Sequence, residues 1–115
     1  MRWLISIAGF IGAFGLIGAT IHAHVRPVPA LGQAAYIALF HAIVLLWLSQ
    51  KRRSAAGLLL AMGFIGGVGL FSGTIYLRYL AGIERATVLA PVGGSLLILS
   101  WIGLGIGGIR PKNEK

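Results

Sequence analysis

Four runs, at residues 3–23, 31–49, 54–77 and 88–109, contain no Asp, Glu, Lys or Arg. Each is about as long as a helix must be to cross a bilayer core ~30 Å thick, at a rise of about 1.5 Å per residue. Leu, Ile, Val, Ala and Phe lie all round each helical wheel with no sustained polar stripe, so none reads as a surface helix with one wet face. Composition agrees: with 57% hydrophobic and 10% charged residues, the chain lacks the polar surface of a soluble domain, in which about a quarter of residues are charged. The absence of cysteine excludes a thiol nucleophile, a thiolate metal site, an iron–sulfur cluster and a disulfide-stapled scaffold. The expected class is an all-α integral membrane protein, a single transmembrane domain over residues 1–115 with the lipid bilayer as its first partner.

Short links set the arrangement. Arg26, Pro27, Val28 and Pro29 break the first run from the second, because each proline lacks an amide proton and restricts the residue before it. Residues 50–53 separate the second run from the third, and residues 78–87, with Gly82 among them, the third from the fourth. Such links force neighbouring helices to run antiparallel, which makes a four-helix antiparallel bundle. All ten basic residues lie between or outside the runs. Arg2, the loop cations Lys51, Arg52 and Arg53, and the tail cations Arg110, Lys112 and Lys115 fall on one side, against Arg26, Arg78 and Arg85 on the other. The positive-inside rule then makes both termini cytoplasmic, and a multi-pass protein of the bacterial inner membrane is expected. Trp3 and Trp47 at the cytoplasmic ends, and Tyr36, Tyr76 and Tyr79 near the outer ends, suit the interfacial preference of amphipathic rings. No basic face tracks phosphates despite the pI of 11.3, so nucleic acid is not an expected partner. The first run is longer than a signal-peptide core and residues 18–22 form a weak cleavage site, so it is expected to remain as a span.

Helices in lipid gain little from burying apolar surface against each other and associate through close backbone approach. Gly63 with Gly67, Gly69 with Gly73, Gly103 with Gly107, Ala8 with Gly12 and Gly15 with Ala19 are each four apart, and therefore share a helix face. Gly12, Gly15, Gly63, Gly67, Gly69, Gly73, Gly103 and Gly107 are the expected packing positions, most of them within the chain itself. Pro91 falls in the first turn of the fourth run, where its missing donor costs little, and Gly93 and Gly94 after it permit close approach.

Ionisable side chains within or beside the spans are confined to His22, His24 and His41. A two-histidine haem or metal site is disfavoured by depth: His41 is near mid-span and His22 near the outer end of the first run, about 14 Å apart along the bilayer normal. No carboxylate or thiolate is at hand to complete a shell. The expected role of His41 is a neutral imidazole bonded to Ser72 or Thr74 of the third span or Ser95 of the fourth. Glu84 is the sole acid outside the tail and has no partner carboxylate for acid–base work, and Ser72, Ser95 and Ser100 have no nearby base of triad type. No catalytic residue, cofactor or metal is expected, and the chain is expected not to be an enzyme.

Several segments carry a resemblance. Leu70-Phe71-Ser72-Gly73-Thr74-Ile75-Tyr76-Leu77 resembles the LFSGSLY segment of the YgdD family of small membrane proteins of unknown function, which includes the eukaryotic transmembrane protein 256 group. Ala90-Pro91-Val92-Gly93-Gly94, with Leu99-Ser100-Trp101 after it, resembles that family's TPIGG and GW stretch, with Ala90 in place of Thr. Phe40-His41-Ala42 resembles its YHALALL segment, and Gly12-Ala13-Phe14-Gly15 with Ala23-His24 a displaced form of its GAFGAH sequence. The resemblance implies a four-span fold with His41 as the family histidine, and no established activity.

The expected function is that of a small non-enzymatic membrane protein, an accessory or stabilising subunit packing against other membrane subunits or against itself as a homo-oligomer. The alternative is a small transporter or channel component with His41 and Pro91 near the path. Because the chain has no cysteine, its orientation is testable with single introduced ones. A cysteine replacing Gln50 should react with an impermeant maleimide only from the cytoplasmic face, and one replacing Glu84 only from the other; the reverse pattern would refute the orientation.

Overall fold

The computed structural model describes residues 2–25 and 27–109, the last two for their backbone alone. Arg26, Arg110, Lys112 and Lys115 of the charge pattern lie outside the described residues. All the regular structure described is helical. The first two spans are α1, Trp3–His24, and α2, Pro29–Ser49. The third joins α3, Ala55–Val68, through a π-helical turn, Gly69–Gly73, to α4, Thr74–Ala81. In the fourth, a 3-10 turn over Glu84–Leu89 leads into α5, Ala90–Ile109. Each span is long and apolar enough to cross a membrane.

The span limits depart from the expected ones at all three links, for local reasons. α2 begins at Pro29 and not at 31, because Pro29 takes the first helical position, where its φ is preset and its missing amide has no intrahelical role. The third span runs past 77 to Ala81 and stops at Gly82, whose φ of 77° suits glycine and few other residues. The Gly82 amide donates to Arg78 O at 3.2 Å, the five-to-one bond of an αL cap, and that of Ile83 to Leu77 O at 3.1 Å. The link expected over 78–87 thus contracts to Gly82 and Ile83, and α5 starts at Ala90, not 88. Ser54 lies outside α3 as its cap, its Oγ accepting from the Gly57 amide at 3.0 Å.

Glycine contacts reveal the register of the bundle. Along the α1–α2 seam Gly18 faces Ala35, Gly15 faces Leu39 and Gly12 faces Ala42; along the α3–α5 seam Gly67 faces Gly93 and Leu97, Gly63 faces Ser100, and Leu60 faces Gly103. Positions rise on one helix as they fall on the other, so both seams are antiparallel. The first and last described residues therefore lie at the same end of the bundle as Lys51, Arg52 and Arg53, here termed the basic end.

α2 is the most buried span. Leu31, Ala34, Ala35, Ala38, Ala42 and Leu45 are buried along it, at the three- and four-residue spacing of one helix face. This alanine face, not among the expected packing positions, does for α2 what glycine does elsewhere. Toward the basic end the core holds Leu4, Leu45, Leu48, Ala61, Phe64 and Val68; toward the other end it holds Leu31, Ala34, Ile75 and Tyr76.

The glycines divide into three groups. At Gly15, Gly63 and Gly67 an added Cβ would press on Leu39 and the Ala35 carbonyl, on Ser100, and on Leu97 with the Gly93 carbonyl. Gly18, Gly32 and Gly93, absent from the eight expected positions, are as tight, against Tyr76, His22 and the backbone of Phe71. Gly12 and Gly103 make ordinary contacts at 3.7 and 3.4 Å, whereas Gly69, Gly73 and Gly107 face open space. These last three do not pack within the chain, because the π-helical turn and the far end of α5 direct them away from their neighbours.

Gly93→Ala should cost about 1–3 kcal/mol, since the colliding atoms are backbone and cannot rotate away. Gly69→Ala should be neutral or stabilising by up to about 1 kcal/mol, because it loses only glycine's entropy penalty. Unfolding of both variants in mixed micelles tests this; equal losses would contradict the packing described.

Candidate functional site

The polar side chains of the spans gather around the π-helical turn and the centre of α2. An extra residue in a helix displaces the usual carbonyl-to-amide bonds and leaves acceptors to be satisfied otherwise. Thr74 supplies one answer from the next turn, its Oγ1 donating to Leu70 O, with Phe71 O 3.2 Å away. Ser72 Oγ crosses to α2 and donates to Ala34 O at 2.8 Å in a buried bond. Tyr76 crosses to α1, where its hydroxyl donates to Phe14 O at 2.6 Å and its ring stacks on Phe14 with centroids 5.1 Å apart. Gly18 makes room for that ring. The same turn receives α5: a Cβ on Gly93 would lie 2.8 Å from Gly67 O and from Leu70 C, so only glycine lets α5 lie this close to the bulge.

His41 is 3% exposed. Its Nδ1 lies 2.8 Å from Ile37 O and its Nε2 lies 3.0 Å from Nε1 of Trp101 on α5. An indole nitrogen only donates, so Nε2 is the acceptor, Nδ1 carries the proton, and the imidazole is held neutral as one tautomer. Trp101 also meets Phe64 edge to face, centroids 5.4 Å apart, and Phe40 at 5.9 Å. This aromatic layer joins three spans, which is how a half-exposed indole in mid-membrane comes to be satisfied.

The partners expected for His41 are not the ones it has. Ser72 bonds α2 at Ala34, Thr74 bonds its own span, and Ser95 is exposed. Register explains this. In the antiparallel third span the level of His41 is that of Phe64, eight residues or about 12 Å from Ser72. In α5, which runs parallel to α2, that level is Trp101, more than a turn beyond Ser95. A signal for Trp101 was present in the sequence: an indole in mid-span needs an acceptor, and a neutral histidine nitrogen is the strongest side-chain acceptor in these spans. Tyr76, read as an interfacial ring, is instead an interior strut, 6% exposed.

His22 rests its ring on Gly32, nine residues and about 14 Å along α2 from His41; its Nδ1 is buried without a hydrogen-bond partner among the described residues. His24 is exposed. Pro91 is exposed in the first turn of α5. Arg78 donates to Thr87 Oγ1 at 3.3 Å and lies over the Tyr79 ring. Beside His41 a cavity of about 320 Å³ opens, walled by Phe40, His41, Phe71, Gly94, Leu97 and Trp101 among others. Each of the segments Phe40-His41-Ala42, Leu70 to Leu77, Ala90 to Gly94 and Leu99-Ser100-Trp101 contributes to this wall. Its two polar side chains, His41 and Trp101, are already bonded to each other.

Removing the pair tests its worth. In a double-mutant cycle of His41→Ala and Trp101→Phe, a coupling of about 0.6 kcal/mol, and at most about 1.7, is expected from bonds of this kind in membranes. His41→Ala should also leave the visible absorption spectrum of the purified protein flat and unchanged. Zero coupling would remove the bond from the account, and loss of a haem band would replace it with a ligand role.

Comparison with known proteins gives this architecture relatives. A family described as "Protein of unknown function (DUF423)" matches residues 8–94, a range that takes in His41, the π-helical turn and Gly93 and ends before Trp101. The chain is similar to the "UPF0382 membrane protein" of Haemophilus influenzae (strain ATCC 51907 / DSM 11121 / KW20 / Rd), 26% identical over 116 residues that cover 96% of this chain and 94% of that protein. No solved structure matches the chain. The resemblance to a small membrane family of unknown function therefore holds, and the protein, with four membrane-crossing helices and a bacterial relative of the same kind, is a multi-pass integral membrane protein that belongs to the DUF423 family.

Proposed function

We propose that the protein is a non-enzymatic accessory subunit that stabilises membrane assemblies by helix packing, against other membrane subunits or further copies of itself. The observation that carries this reading is the set of glycines left unused inside the chain. Gly69 and Gly73 meet nothing within 4 Å of an added Cβ. They lie in an apolar groove of about 490 Å³ with Phe14, Ile17, Leu77 and Leu80. Glycine within a helix costs about 0.5–1 kcal/mol relative to alanine, and in a membrane the common return on that cost is the backbone of another helix.

The inward polar side chains support the same reading. Ser72, Thr74, Tyr76, Ser100 and His41 all bond within the chain, and among the described residues only His22 Nδ1 is buried without a partner. The transport alternative has less support, since both ring nitrogens of His41 are engaged and Pro91 lies at the surface of a first turn.

Photo-crosslinking in native membranes tests the proposal. With the full chain at its natural abundance, a photoreactive residue at Gly73 should give a discrete adduct with another membrane protein or a second copy, and one at Leu99 should give little. A chain that forms no adduct at Gly73 and migrates as a monomer in mild detergent would overturn it.

A further inference from the structure

The basic end carries a cation cluster that the packing of the bundle does not use. Lys51, Arg52 and Arg53 are all exposed. Lys51 Nζ stands 4.4 Å above the Trp47 ring, which steadies it at the membrane boundary. Glu84 is the one acidic residue among those described, and it opens the 3-10 turn at the opposite end of the bundle. The cluster therefore has no anionic partner from the described chain. Directly after it α3 begins, and with the Gly57 amide capped by Ser54, the first-turn amides of Ala55 and Ala56 are left for an outside acceptor.

At the same end of the bundle a groove of about 440 Å³ runs between α3 and α5, lined by Leu59, Met62 and Gly63 on one side and Leu96, Leu99 and Gly103 on the other. Leu59 is about 6 Å below the first residue of α3, and Leu96, which packs at Gly66 on the facing helix, about 17 Å below it. The groove thus runs along the bilayer normal through about one leaflet, half of a ~30 Å core. It is narrow, because Ser100 fills the space at Gly63 and Leu60 that at Gly103.

From this juxtaposition we infer that the α3–α5 groove and the loop above it form a binding site for one anionic phospholipid, its phosphate against Lys51, Arg52 and Arg53 and one acyl chain in the groove. Charge complementarity selects a lipid over a neighbouring apolar helix here, since an anionic headgroup and the three exposed loop cations are opposite in sign. The site is on a different face from the Gly69–Gly73 groove and does not depend on the function proposed above.

The test is native mass spectrometry of the purified full chain, given equal amounts of phosphatidylglycerol and phosphatidylcholine with identical acyl chains. Each surface cation contributes about fivefold to association with anionic lipid, so phosphatidylglycerol should be retained about tenfold or more over phosphatidylcholine. K51Q/R52Q/R53Q should bring that ratio close to unity, while R52K/R53K should keep it. G103L, which fills the groove, should lower retention of both lipids by a similar factor and leave their ratio unchanged. Helicity and monodispersity of each variant show that it has folded. Equal retention by the unmodified chain, a preference that survives K51Q/R52Q/R53Q, or retention untouched by G103L would each overturn the inference. So would displacement of the lipid by inorganic phosphate at the same concentration, or a change of oligomeric state with G103L.

Discussion

Hydrocarbon provides no hydrogen-bond partner, and the interior of this protein is arranged around that constraint. Every polar side chain that enters the bundle centre must find a carbonyl or a ring nitrogen belonging to the chain. Ser72 reaches the α2 backbone, Tyr76 the α1 backbone, and Trp101 the imidazole of His41. These three bonds also tie spans together. The π-helical turn depends on the same rule, since it is tolerable in a membrane only because Thr74 takes up an acceptor that the bulge displaces. Satisfaction of polar groups and choice of neighbours are one problem in this bundle.

Close approach of backbones is the second contributor, and it is unevenly distributed. The tight contacts cluster on the α1–α2 seam and where α5 meets the π-helical turn, at Gly15, Gly67 and Gly93. α2 achieves its burial with alanines in place of glycines, which lets it serve as the common wall for the other spans. Polar and small residues together account for the second half of the chain, where a hydroxyl, a glycine and an aromatic ring alternate within a few residues. What is left over is on the outside: open glycines beside an apolar groove, and three cations above a second one.

Much of the architecture was legible in the sequence because membrane insertion is a local test, applied to about twenty residues at a time. The four uncharged runs therefore announced four helices, and the short links their antiparallel order. Limits were less legible where a single backbone angle decides them. Gly82 ends a helix that the Arg78 and Tyr79 side chains, read as loop, do not interrupt, and Pro29 opens one that it had been expected to delay. At the candidate site, the sequence marked His41, Ser72 and Thr74 as polar residues needing partners, and the glycine spacing marked Gly15, Gly63 and Gly67 as close-approach positions.

By itself, then, the sequence determined that this chain lives in a bilayer as four helices and that its buried polar groups must be few and internally bonded, since both follow from transfer of residues out of water. Only the tertiary structure decided who bonds to whom. Pairing His41 with Trp101 instead of Ser95, moving Tyr76 from the interface to the core, and turning Gly69, Gly73 and Gly107 outward all depend on helix register and rotation. Those are set by the sum of many small contacts between distant segments, and a shift of a single residue rotates a helical side chain by about 100°.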